Sequence, residues 1–307
     1  MVENVCRSFI WTGKEGISRK AAVAWNQMTL PLSKGGLNLK DMHTWNKAAL
    51  LKHLWNLARK KDNLWVKWVH SYYMSNQEIS NVRVSIHASW VFKKIIKHSC
   101  LVEKLGGWEK FTNDPNFTIG GVYNRLTEDA PRVTWGNIMI KNFASPSAKF
   151  ITWLAIQNRL ATKDRIGRWI DTTDDNCVLC SGGSESIQHL IFECQNARDI
   201  RTRLFSFLPG RLDEANFQTE IGFMAKINKK KTDRAKLIVA LWTEMIYCIW
   251  RQRNSKIFDN RTFNLKEVHD LIVFRVAGRV NSRMNDMLVS MKLFLSFLGY
   301  RSPFCCE

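Results

Sequence analysis

The chain has 307 residues and a formal charge of +19, from 46 Lys and Arg against 27 Asp and Glu. Its 45% apolar content is that of a folded chain and excludes disorder over most of the length. Only 6 prolines and 16 glycines stand beside 13 tryptophans, which argues for packed helices with large buried side chains rather than a loop-rich β chain.

Residues 9–40 read as short pieces broken at Thr12-Gly13, Leu30-Pro31 and Gly35-Gly36. A helix is predicted over 41–60, capped by Asp41, with Ala48, Leu51, Leu54, Trp55 and Ala58 at helical spacing. Leu64, Trp65, Trp68 and Val69 continue an amphipathic segment, and 89–98 form a second helix with a basic face. Leu105 to Asn116, with Gly106-Gly107 and Asp114-Pro115, is the best linker candidate. Beyond it the pattern predicts a short helix over 118–128 and another over 146–158 opened by Ser145-Pro146. A short one from a Thr162 cap to Trp169 and a segment over 187–208 that breaks after Cys194 follow. A long helix over 232–258 precedes two more, over 264–280 and 284–298. The class is mainly α: a helical assembly with one small irregular module.

The longest apolar run, Leu237 to Trp250, is interrupted by Glu244 and reads as a buried helix rather than a membrane span. The N-terminus has no basic segment followed by an apolar one, so no secretory signal is expected. The expected setting is intracellular, nucleus or cytoplasm, with reduced thiols and no membrane partner. Clustered cysteines then point to metal before disulfide. Cys6, Cys100 and Cys248 are isolated and read as packing thiols.

One cluster stands out. Cys177, Cys180, His189 and Cys194 fall within 18 residues with the spacing Cys-x2-Cys-x8-His-x4-Cys. Zinc takes four N or S ligands in a tetrahedron, and Cys3His is one of its closed structural sets. Gly182 and Gly183 are expected to allow the tight return by adopting positive φ. Such a site leaves no open position for water, so one structural Zn²⁺ is expected. His43, His53, His70, His87, His98 and His269 have no comparable neighbours and read as surface or packing residues.

The motifs around this cluster carry a resemblance. Phe150-Ile-Thr-Trp153-Leu-Ala, Arg159-Leu-Ala-Thr162-Lys-Asp-Arg-Ile, Cys177-Val-Leu-Cys180 and Glu185-Ser-Ile-Gln-His189-Leu-Ile-Phe-Glu-Cys194 occur in order. This stretch resembles the reverse-transcriptase zinc-binding domain that follows the polymerase in plant non-LTR (long interspersed) retrotransposons. Upstream, Phe9-Ile-Trp-Thr-Gly, Val23-Ala-Trp25, Lys34-Gly-Gly-Leu-Asn-Leu-Lys-Asp41 and Trp45-Asn46 resemble the segment after that family's palm. Downstream, Ile249-Trp-Arg-Gln-Arg-Asn-Ser-Lys-Ile-Phe258 resembles the helix after its zinc domain.

The resemblance implies nucleic-acid binding within reverse transcription, as template or target contact. The family's polymerase needs an aromatic-x-Asp-Asp turn among palm carboxylates. The only Asp-Asp here, Asp174-Asp175, lies in the loop before Cys177 and reads as a turn cap. Residues 1–60 hold only Glu3, Glu15 and Asp41, too few for two-metal chemistry. No endonuclease or RNase H set is found. The expectation is a non-catalytic C-terminal fragment lacking the palm. The alternatives are a non-functional relic, or an accessory polymerase subunit acting in trans.

Charge indicates where a polyanion would sit. Residues 171–200 carry one basic and six acidic side chains inside an otherwise basic chain. Arg159, Lys163, Arg165 and Arg168, beside Trp169, are the first candidates for phosphate contact. Lys229, Lys230 and Lys231 form a basic run expected in a polar loop. Arg251, Arg253, Lys256 and Arg261 are expected on a solvated face, and Trp135, Trp153 and Trp169 to pack rather than stack on bases. The expected division is 1–104, 105–210 with the zinc module, and 211–307.

Overall fold

The computed structural model describes residues 2–14, 16–18, 20–74, 77–127, 130–140, 142–169, 174–208, 216–230 and 232–281. The helix predicted over 284–298 and Lys231 lie outside these residues. Among the described residues every regular element is helical; the one β pairing is an isolated bridge between Asn176 and Ser184. None of their helices is long and apolar enough to cross a membrane. The chain divides into two compact units, 1–31 with 36–131, and 32–35 with 132–307.

In the first unit α1 (Val2–Thr12) and α2 (Trp25–Thr29) precede α3 (Met42–Ala58). The side chain of Asp41 accepts from the Thr44 amide and so satisfies one of the orphan donors at the start of α3. Around α3 pack α4 (Leu64–Val69), α5 (Trp90–Lys97), α6 (Gly107–Asn113) and α7 (Ile119–Leu126). Leu51, Leu54 and Leu57 of α3 are fully buried against Val66, Phe92, Ile95, Val102 and Phe117. Each such side chain contributes about 1.5–3 kcal/mol on leaving water. Leu105–Asn116 is no linker. A 3-10 stretch, His98–Leu105, runs into α6 through Gly106 at φ +102°, and Leu105 and Phe111 enter the core. The two glycines mark a left-handed corner rather than a domain boundary.

The second unit is built on α13 (Asp233–Phe258), capped by Thr232. Leu237 to Ile246 is buried without interruption, Glu244 included, so the helix is surrounded on all sides. Around it lie α8 (Gly136–Ile140), α9 (Pro146–Ile156), α10 (Lys163–Ile166), α11 (Gln195–Phe205), α12 (Phe217–Lys229) and α14 (Leu265–Asn281). Of these, α9, α11, α12 and α14 pack directly on α13. The short segment 32–35 belongs here too. Trp153, fully buried, donates from Nε1 to the Gly35 carbonyl at 2.8 Å, and a Cβ on Gly136 would lie 2.6 Å from the Leu32 oxygen.

Among the described residues, three ion pairs with buried carboxylates stitch this unit. Glu244 is fully buried; it accepts from the Ser145 amide, where α9 begins, and from Arg275 of α14 at 2.8 Å. Arg201 of α11 approaches Glu220 of α12 at 4.0 Å and caps the Phe192 carbonyl. The third joins Arg253 to Glu185. Arg253, expected on a solvated face, is 4% exposed. It is buried because its partner sits in the metal knuckle.

Candidate metal centre

The knuckle starts where the backbone of residues 175–177 runs against 183–185. Cys177 donates its amide to the Gly183 carbonyl at 2.7 Å, and Glu185 donates to the Asp175 carbonyl at 2.8 Å. Asp174 caps the entry by accepting from the Asn176 amide, as expected of a turn residue. The tight return is made differently from expectation. Ser181, at φ +57°, occupies the left-handed position, and neither Gly182 nor Gly183 does. Gly183 lies close to a ligand: a Cβ there would stand 3.2 Å from Cε1 of His189, so the ring would have to shift by a few tenths of an ångström.

The second half of the site comes from a π-helical turn, His189–Glu193, that ends at Cys194. Cys194 donates its amide to the His189 carbonyl at 2.7 Å, which brings the two side chains to one side. The chain then continues as α11, so the expected break at Cys194 is present and is the ligand itself.

All four ligand atoms of Cys177, Cys180, His189 and Cys194 lie within 4.8 Å of one another. The Sγ atoms of Cys177 and Cys194 are 4.0 Å apart, and Cys180 Sγ is 3.2 Å from His189 Nε2. Zn–S bonds of about 2.3 Å at a tetrahedral angle require sulfur atoms about 3.8 Å apart. The donor set and its spacing therefore fit one tetrahedral ion. Nε2 faces the cysteine sulfurs, while Nδ1 lies on the other side of the ring, 3.8 Å from the Glu193 carboxylate. Glu193 is itself held by Gln188 at 2.9 Å.

The Cys177 and Cys194 thiols lie within hydrogen-bonding distance of each other. The hydrogen bond with Cys194, then the backbone amides of Cys180 and Leu179, pull Cys177 down to about 5. The same contact and then burial hold Cys194 above the usual thiol range. A cation placed between them relieves both. Cys6 and Cys100, expected to pack, are exposed; Cys248 is buried, and burial with Glu244 beside it pushes its thiol up to about 12.

Glu185, which composition and spacing did not single out, fixes the knuckle to the rest of the unit. It is 0% exposed. Its Oε1 accepts from Arg253 Nη2 at 2.6 Å, from Arg253 Nε at 3.1 Å and from the Lys163 amide at 3.0 Å. Its carbonyl accepts from the Asp164 amide. One residue thus serves two amides at the start of α10 and a guanidinium on α13. That role explains why Thr162, correctly placed as the residue before α10, makes no capping bond: its hydroxyl turns to Asp164 instead.

The basic candidates separate into three groups. Arg159 and Arg168 are exposed, and Arg165 lies between them. Burial, then the charges of Arg159 and Arg168, hold the Arg165 pKa below its usual value. The Arg165 guanidinium stands 5.7 Å from the ring of Trp169, which is 72% exposed and so no core residue. Lys163 is committed elsewhere, to Asp174 at 2.9 Å and the Asn176 carbonyl at 2.8 Å; it braces the knuckle entry rather than waiting for phosphate. Lys229 and Lys230 are exposed at the end of α12 instead of in a loop. Trp153 is core, as expected, and Trp135 is half-buried.

Fold and site together define a helical protein organised around a closed Cys3His knuckle. Residues 117–200 match the family model described as zinc-binding in reverse transcriptase, and the match contains all four ligands and Glu185. No curated protein and no solved structure matches the chain.

Proposed function

We propose that the chain is a non-catalytic module that holds one structural Zn²⁺ at Cys177, Cys180, His189 and Cys194 and binds nucleic acid through phosphates. The supporting observation for binding is the set Arg159, Arg165 and Arg168 crowded beside an exposed Trp169. Like charges at such range destabilise the compact state, and Asp164 is the acidic group acting on Arg165 there. A polyanion supplies the missing charge. Zinc fits as a structural ion because four protein ligands leave no position for a reacting water.

The motifs shared with plant non-LTR retrotransposons support a role beside a reverse transcriptase, contacting template or target, with the polymerase itself as a partner in trans. RNA and DNA are both candidate ligands on this chemistry.

The test is binding of single-stranded RNA and duplex DNA over a range of salt. Log K is expected to fall linearly with log salt, by about 0.9 per contacted phosphate on duplex and about 0.7 on single strands. Replacing Arg165 and Arg168 together by Ala is expected to flatten the duplex slope by roughly 2. A slope near zero for the unaltered chain, or one that the double substitution leaves unchanged, overturns the reading.

A further inference from the structure

The first unit carries an aromatic face that the zinc-side reading does not use. Leu64 and Trp68 of α4 and Tyr72 of the π-helical turn His70–Met74 follow one another at four-residue steps. They are exposed by 87%, 48% and 69%. The rings of Trp68 and Tyr72 stack with centroids 5.6 Å apart and planes 9° from parallel.

Tyr73 holds them in place. It meets Trp68 edge-on at 5.2 Å and Tyr72 at 4.9 Å, and stacks on the core residue Phe92 at 4.9 Å. Its hydroxyl accepts from the amide of Ser89, the cap of α5. The pair is therefore set before any ligand arrives. Directly after Ser89, Trp90 is 71% exposed, with the Lys94 ammonium 5.5 Å from its ring centre.

The segment that carries Trp90 and Phe92 is basic. Residues 79–102 carry Arg83, Lys93, Lys94 and Lys97 and no acidic side chain. Lys67, on α4 itself, is paired with Asp62 at 2.6 Å, so the available cations come from the α5 side.

We propose that this face binds single-stranded nucleic acid, with unpaired bases stacking on Trp68 and Tyr72 and the α5 lysines meeting the phosphates. Parallel aromatic faces with cations alongside suit a strand whose bases are free to stack. A duplex keeps its bases stacked internally and offers no free ring. A protein helix would cover the apolar stripe and leave the cations unmatched. The site lies in a different unit from the knuckle and reads a different property of the ligand, so it stands or falls apart from the zinc-side reading.

The experiment uses the full chain and labelled 12-nucleotide probes: oligouridine, an abasic strand of equal length, and a duplex. Trp68→Ala with Tyr72→Ala is expected to weaken oligouridine binding by about 5- to 150-fold for each stacked base lost. The salt slope and the duplex affinity should not change, since no cation is removed. Trp68→Phe with Tyr72→Phe should retain binding; helical signal and hydrogen-exchange protection of α3 and α5 confirm that each variant folds. Oligouridine affinity within twofold of the unaltered chain overturns the proposal. So do equal losses on duplex and single strand, a Phe variant that falls as far as the Ala variant, or an unaltered chain that binds abasic strand as tightly as oligouridine. A dimer abolished by the Ala substitutions with oligouridine binding intact overturns it in favour of contact between copies. Base dependence that persists while Arg165→Ala with Arg168→Ala leaves the salt slope unchanged removes the zinc-side reading and leaves this one; a flat slope on the unaltered chain overturns both.

Discussion

Glu185 shows how much one carboxylate can organise. Buried at 0% exposure, it lies one residue past the β bridge of the knuckle and faces Arg253 with two donor atoms at 2.6 and 3.1 Å. Removing one partner of a buried pair leaves the other charged and undersolvated, at a cost of about 3–5 kcal/mol. Glu185→Gln is expected to lower stability by that amount, read from the urea midpoint of the second unit. Replacing both partners, Glu185→Leu with Arg253→Met, should be less destabilising than Glu185→Gln alone, because no charge is stranded. If the double replacement is the worse of the two, the pair contributes through packing rather than charge compensation. His189 and the three cysteines announced themselves by spacing. Glu185 did not, because a single acid among Ser and Ile looks solvated until its partner, 68 residues on, is brought beside it.

Helices were legible where a cap and a periodic face coincided. Asp41, Thr118, Ser145 and Thr232 each accept from an amide three residues on, and the helices they open match the pattern. α12 was hidden although its signals are of the same kind. Asn216 accepts from the Thr219 amide, and Phe217, Ile221, Met224 and Asn228 are buried along one side. Its Lys229-Lys230 end drew attention as charge and concealed the helix before it. Asn216→Ala is expected to cost about 1 kcal/mol, typical of losing a cap, measured as a drop in thermal midpoint. No change would mean that packing of Phe217 alone starts the helix. Of the shortest helices, α8 left no local signal, whereas α10 was marked by Thr162 but ends at Ile166 rather than Trp169; each is only a turn or so long and depends on groups far away in sequence, Leu32 beside Gly136 and Glu185 at the Lys163 amide. Short helices are marginal alone and form where tertiary contacts meet their ends.

At the scale of the molecule, the chain divides into two units, each with its own buried residues. The cluster from Ala48 to Tyr123 lies wholly in the first, whereas all four ligands and the buried length of α13 lie in the second. Structural zinc sites in small modules bind with apparent energies of about 10–16 kcal/mol, comparable to the whole stability of a domain at about 5–15 kcal/mol. Metal removal should therefore act on one unit. On adding an excess of chelator to the reduced, zinc-loaded chain, backbone amides of α9, α11 and α13 are expected to lose protection from hydrogen exchange. Those of α3 and α5 should hold theirs. Cys194→Ser should reproduce the pattern without chelator and bind well under one equivalent of zinc, because it removes a buried ligand that also starts α11. Protection lost equally in both units would show that they unfold as one block. Protection unchanged in α11 and α13 would show that α13 and its ion pairs hold the second unit without metal, and the ion would then be a local brace rather than the source of its stability.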